Sequence, residues 1–237
     1  YGLGTEQDYE KAFEWFERSA KQKNKFAQFS LANLYYYGSG VKKDLSQAFL
    51  WYQRSSSQGQ PYAAYSIAQM YRYGEYVTKD NDTAQRYYKQ ALSGFLKIES
   101  DDMANDDLFY KLGQMFKIGL GTDSDVTKAI EYFRRSAEMN NKNGLFEYGK
   151  ALLTGEHIPQ DTDSAVKLLE KAVKLKNSNA KRFLALEYIS GEHLEQDFEK
   201  GIALLTECAD SGDVIASYRL GKIYLQGEIM PQNLDKA

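Results

Sequence analysis

Cysteine, proline and histidine are scarce: the 237 residues include one cysteine, three prolines and two histidines. A single thiol, Cys208, excludes an internal disulfide framework and fits a reducing compartment, so a cytoplasmic location is the expectation. No apolar run approaches the ~18 residues that a membrane span requires, and no Gly/Ser-rich or low-complexity linker divides the chain. Charge of one sign is missing too. The 30 basic and 33 acidic side chains leave a formal charge of −3, too small a field to draw the whole chain to nucleic acid or anionic lipid. Electrostatic recognition must come from local patches. The first five residues lack the charged and apolar regions of a signal peptide, and both ends of the sequence fall inside a repeat, so further repeats or another domain are expected to flank it.

What is present is periodic. Gly2, Gly38, Gly74, Gly119, Gly155, Gly191 and Gly227 are separated by 36, 36, 45, 36, 36 and 36 residues. A second ladder, Ala12, Ala48, Ala84, Ala129, Ala165, Gly201 and Ala237, keeps the same steps. The unit is therefore 36 residues, with nine added between Ala84 and Gly119. Within each unit an apolar set falls at i, i+3 and i+4 (Leu31, Leu34, Tyr35; Ile67, Met70, Tyr71), which is a helical stripe, here helix A. It stops at the ladder glycine, the residue that takes a left-handed conformation without a Cβ clash. Four residues before each ladder alanine stands Asp8, Asp44, Asp80, Asp125, Asp161, Asp197 or Asn233, a good N-cap for a second helix, B. Helix B carries large and small residues in register, as in Ala48, Phe49, Trp51 and Tyr52. One such pair cannot bury its stripe alone and a stack can, so the expected fold is an all-α superhelix, or solenoid, of tandem helix–turn–helix repeats. The units are expected near residues 1–25 (partial), 26–60, 61–94, 95–139 with the insertion, 140–176, 177–212 and 213–237 (partial).

Segments such as "LANLYYYGSGVKKDLSQAFLWYQRSSSQG" and "LGQMFKIGLGTDSDVTKAIEYFRRSAEMN" resemble the Sel1-like repeat, a relative of the tetratricopeptide repeat with a longer loop between its helices. The resemblance covers essentially the whole chain. Its departures are local: Gly201 in place of alanine, Glu187 where other copies have Leu34, Met70, Met115, Ala151 or Ile223, and the insertion. It implies a non-catalytic adaptor that assembles complexes. The units "YKLGQMFKIGLGT" and "FEYGKALLTGE" also resemble repeat regions that follow the catalytic domain in mobilisation relaxases of Gram-positive bacteria, which would make the parent a DNA-nicking enzyme of plasmid transfer.

Candidate chemistry is thin. His157 and His193 both follow Gly-Glu, 36 residues apart, too far for shared zinc ligation when repeats stack at helix-packing distances of about 10 Å. Cys208 occupies the slot of Ser19, Ser55, Ala91, Ser136 and Ala172, where a small residue suits packing. "GSG" and "GLG" match no phosphate-binding loop, and the acidic run Glu99, Asp101, Asp102, Asp106 and Asp107 lacks EF-hand spacing. No metal, cofactor or catalytic residue is expected.

What remains is surface. With helix A lining a concave side, one row of groove residues runs Asn33, Gln69, Gln114, Lys150, Leu186, Lys222, and a second runs Tyr36, Arg72, Lys117, Leu153, Ile189, Leu225, with Tyr37 and Tyr73 adjacent. Tyrosine and arginine are the types that anchor interfaces. The candidate binding residues are thus Asn33, Tyr36, Tyr37, Gln69, Arg72, Tyr73, Gln114, Lys117, Lys150 and Lys222, and the expected partner is a peptide or protein held by a monomeric scaffold. Direct nucleic-acid binding needs more than the thin basic stripe of Arg72, Lys117, Lys150 and Lys222.

Overall fold

The computed structural model describes residues 6–226, and among them there are twelve α-helices and no strand. In chain order they are α1 (Tyr9–Lys21), α2 (Lys25–Tyr37), α3 (Leu45–Ser57), α4 (Pro61–Tyr73), α5 (Asn81–Ser100), α6 (Asp106–Ile118), α7 (Val126–Glu138), α8 (Lys142–Thr154), α9 (Thr162–Lys174), α10 (Ser178–Ser190), α11 (Phe198–Asp210) and α12 (Val214–Gln226). Even-numbered helices are the A helices and odd-numbered ones the B helices of an all-α solenoid.

The polar ladders explain where each helix starts. Asp8, Asp44, Asp80, Asp125, Asp161 and Asp197 each accept a backbone N–H of the first turn of a B helix. The A helices have a ladder of their own that sequence reasoning missed, although its register was there to be read. The side chains of Asn24, Gln60, Asn105, Asn141, Asn177 and Asp213 accept amides at the start of α2, α4, α6, α8, α10 and α12. Helices α2, α4, α6, α8 and α10 each end on a glycine with φ between 67° and 75°. The following loop is closed by one repeated bond, in which the capping aspartate's own N–H donates back into helix A: Asp44 to Tyr35, Asp80 to Tyr71, Asp125 to Phe116, Asp161 to Leu152 and Asp197 to Tyr188, all at 2.8–3.0 Å.

The chain forms two compact units: unit 1 is Tyr1–Ala104 with Ile118–Ser124, unit 2 is Asn105–Lys117 with Asp125–Ala237. In unit 1 Leu31, Ala48, Tyr52, Ile67 and Met70 form the core. In unit 2 Leu145, Leu153, Leu169, Leu184 and Leu205 are almost fully buried. Ladder alanines 48, 84, 129 and 165 are buried because helices cross there. Gly201 departs from them for a steric reason: an added Cβ would stand 2.6 Å from Cγ1 of Ile189 and 2.8 Å from the Ala185 carbonyl. The insertion lengthens α5 to 20 residues, against 13 in the other helices, and the extension begins beside Phe95, which is buried edge-on to Tyr62 at 4.8 Å.

Candidate functional site

Six of the ten candidate residues lie in unit 1 and four in unit 2, so the two sets are described separately. In unit 1 the core rows run up to the last turn of α2 and α4, and the side chains there divide into engaged and exposed ones. Asn33 accepts the Tyr52 hydroxyl at 2.7 Å. Tyr36 is half-buried, donates its hydroxyl to the Glu75 carboxylate, and is pushed up to about 12 chiefly by that bond. Arg72 is half-buried and lies over the Tyr73 ring at 5.6 Å. Gln69 is half-buried. Tyr37 and Tyr73, by contrast, are 72% and 62% exposed, 36 residues apart, each immediately before the glycine that ends its helix. Tyr37 is held edge-on against Tyr36 at 4.9 Å.

A lysine packs on the glycine that follows each exposed tyrosine. Gly38 packs against Lys43, whose Cβ would lie 3.1 Å from a Cβ on the glycine, and Gly74 packs in the same way against Lys79 at 3.3 Å. The Lys43 ammonium stands 5.7 Å from the Tyr36 ring centre.

In unit 2 the candidates have intramolecular partners. Gln114 donates to the Tyr110 hydroxyl at 2.7 Å, and Lys117 pairs with Glu147 at 2.7 Å. Lys150 lies over Phe183 at 5.6 Å and Lys222 over Tyr218 at 5.9 Å. Lys117, Glu147, Lys150 and His157 together line a small cavity of about 140 Å³. The second groove row does not stay at the surface throughout: Leu153 and Ile189 are core residues, while Leu225 is exposed.

The histidines also find their places. His157 is exposed at φ 63°, the left-handed turn position that Gly40, Tyr76 and Gly121 fill in other copies. His193 Nδ1 is 3.0 Å from the carboxylate of Glu187, which is buried, so the histidine partners the one acid in an otherwise apolar row. Among the described residues no group of three His, Cys, Asp or Glu side chains is arranged to hold a metal ion. Cys208 is buried, and desolvation pushes its thiol up, away from the reactive thiolate. Its slot is a packing slot: Ser55 and Ser136, in the same register, donate to the Lys25 and Asp106 carbonyls at 2.6 and 2.8 Å. No helix of the described residues is long and apolar enough to cross a membrane.

With the hairpin geometry in place, comparison with known families decides the lineage. The family model for the Sel1 repeat matches seven times, at residues 1–24, 25–60, 61–94, 110–141, 143–177, 178–213 and 214–237. The chain belongs to the Sel1 repeat family. Sel1 repeats serve in general as protein-interaction scaffolds and are typically non-catalytic. Among solved structures, the chain is similar to a Sel1 repeat protein from Oxalobacter formigenes, with 25% identity and a TM-score of 0.75 over 96% of this chain and 88% of that one. It is also similar to c5321, a protective antigen of uropathogenic Escherichia coli with an SLR fold (25% identity, TM-score 0.52, 95% of this chain and 54% of that one). A third, described as a putative Sel1 repeat protein from Klebsiella pneumoniae, shares the fold at 18% identity and TM-score 0.52 over 89% of this chain and 98% of that one. No curated protein matches the chain.

Proposed function

We propose that this Sel1 array is a binding scaffold whose helix-A ends in unit 1 dock an extended segment of a protein partner, with Tyr37 and Tyr73 as its anchors. One observation carries the reading: two large aromatic side chains at the same register of consecutive A helices are left exposed, while Asn33, Tyr36 and Arg72 beside them engage side chains of the fold itself. Exposed aromatics with a polar end bury large area at small entropic cost, which makes them the usual hot-spot types. Asn33, Tyr36, Gln69 and Arg72 form the supporting row in this reading.

A photo-reactive phenylalanine analogue placed at position 37 or 73 tests this. Crosslinks to a single protein from these positions, and none from positions 50 and 53 on the exposed side of α3, are the expected result. Crosslinking that favours positions 50 and 53 overturns it.

A further inference from the structure

We infer that the start of α12, in unit 2, is a docking site for an amphipathic helix of a partner protein, one that presents a small residue followed by an aromatic. The chain holds an occupied copy of the same surface in unit 1. At the start of α4, Pro61 is buried and Tyr62 half-buried, because α5 runs on past the 13 residues of the other B helices and lies over them. Gly94 permits the approach: a Cβ there would stand 2.7 Å from Cβ of Pro61. Phe95 then meets Tyr62 edge-on at 4.8 Å and Tyr65 at 6.2 Å, and is itself fully buried.

Register repeats this seat at α12. The A helices α2, α6, α8 and α10, each followed by a B helix of 13 residues, begin with Lys25, Asp106, Lys142 and Ser178. Among the described A helices only α4 and α12 begin with an apolar residue, Pro61 and Val214. The next position is Tyr62 in one and Ile215 in the other, and four residues after the first stands a tyrosine in both, Tyr65 and Tyr218. The set is covered in α4. In α12 it is open, with Val214, Ile215 and Tyr218 79%, 52% and 65% exposed. An apolar stripe of this kind on a helix is a seat for the apolar stripe of another. Val214 and Ile215 also line a cavity of about 630 Å³ with Val173 and Cys208, within the range of roughly 300–1,000 Å³ usual for ligand sites, so a ring like that of Phe95 has a hollow to enter. The charged side chains that α10 brings to its rim are already paired, Lys181 with Glu207 and Arg182 with Asp213, so apolar contact carries the recognition. The chain's own small–aromatic helix is engaged on α4, so a second copy has none to offer and the occupant belongs to another protein.

Fluorescence anisotropy of a labelled peptide spanning residues 80–101, which carries the α5 sequence, titrated with the whole chain tests the inference. The expected result is saturable binding, lowered at least tenfold by Phe95→Ala in the peptide. Val214→Ser/Ile215→Asn in the chain, which gives α12 the same opening pair as α10, should lower it at least tenfold with the circular dichroism melt retained. The peptide variant keeps the test open if the chain variant fails to fold. Absence of binding, equal binding of the Phe95→Ala peptide, or parent-like binding by the folded chain variant overturns the inference. A dimer of the parent chain in light scattering that Val214→Ser/Ile215→Asn dissociates gives the face to a second copy and overturns it as well. The site is independent of Tyr37 and Tyr73 in unit 1, so each of these outcomes leaves the crosslinking test of those residues unchanged.

Discussion

The Tyr36 hydroxyl, at the end of α2, donates to the carboxylate of Glu75, just past the glycine that ends α4, so the phenol proton is a fastener between consecutive repeats. Tyr36 is thereby raised from 10.0 to about 12, and burial raises Tyr88 to about 12 as well. A raised folded value means that the neutral phenol is the one the fold prefers. The contribution is complete below pH 10 and is lost as pH climbs from 10 towards 12. Thermal melts should therefore fall across that window. Tyr36→Phe should flatten the fall and cost about 1 kcal/mol at neutral pH, the ordinary worth of one hydrogen bond. An alkaline limb of unchanged steepness in the variant would show that the fastener is not formed in solution.

The acid limb belongs to the helix caps. Asp8, Asp44, Asp80 and Asp161 are all held below the ordinary carboxylate value, Asp8 chiefly by the Lys11 amide and the others chiefly by the side chains of Ser46, Thr83 and Ser164. A depressed folded value gives stability that is present above pH 3.8 and lost as pH falls below it. Changing these four to asparagine, which caps the A helices at Asn24, Asn141 and Asn177, should keep the helical spectrum and flatten the acid limb. A variant that unfolds as steeply in acid as the parent would place the titration elsewhere.

Helix register was legible because it is written in backbone chemistry that repeats: a glycine where φ turns positive, an aspartate where a helix begins, an alanine where helices cross. The asparagine-type caps of the A helices repeat equally well and went unread only because the glycine and aspartate ladders already delimited the helices. The site was less legible. Register places Tyr36, Tyr37, Arg72 and Lys117 at the end of helix A, but whether each is exposed depends on partners 30 to 39 residues away, Glu75 for Tyr36 and Glu147 for Lys117. Those contacts depend on side-chain reach, which no periodicity encodes. For the same reason one row contains buried Leu153 and Ile189 beside exposed Lys117 and Leu225.

Glycines with the same φ should differ in cost. At Gly121 (φ 74°) a Cβ would lie 2.4 Å from the Tyr88 carbon and the Lys89 nitrogen, whereas at Gly59 (φ 77°) nothing lies within 4 Å. Gly121→Ala should cost ~2 kcal/mol or more, since backbone has to move, and Gly59→Ala only about 1 kcal/mol for the left-handed conformation. His157→Gly, at the register of Gly121, should be neutral or stabilising. Equal costs for the two alanine variants in denaturant titrations would contradict the packing of the 118–124 loop on α5.

Cys208→Ala should leave binding intact and cost about 1 kcal/mol, because alanine is already buried in that slot at Ala91 and Ala172. Loss of partner binding with the fold retained would make the thiol functional.

The most direct measurement is titration calorimetry of the crosslinked partner, once identified, against the parent chain, Tyr37→Ala/Tyr73→Ala and the control Leu50→Ala/Gln53→Ala. Truncating two anchors at ~2 kcal/mol or more apiece predicts a loss beyond about 100-fold for the tyrosine pair, and less than about threefold for the control, at equal melting temperatures. Parent-like affinity in the tyrosine pair would contradict a recognition surface at the helix-A ends of unit 1.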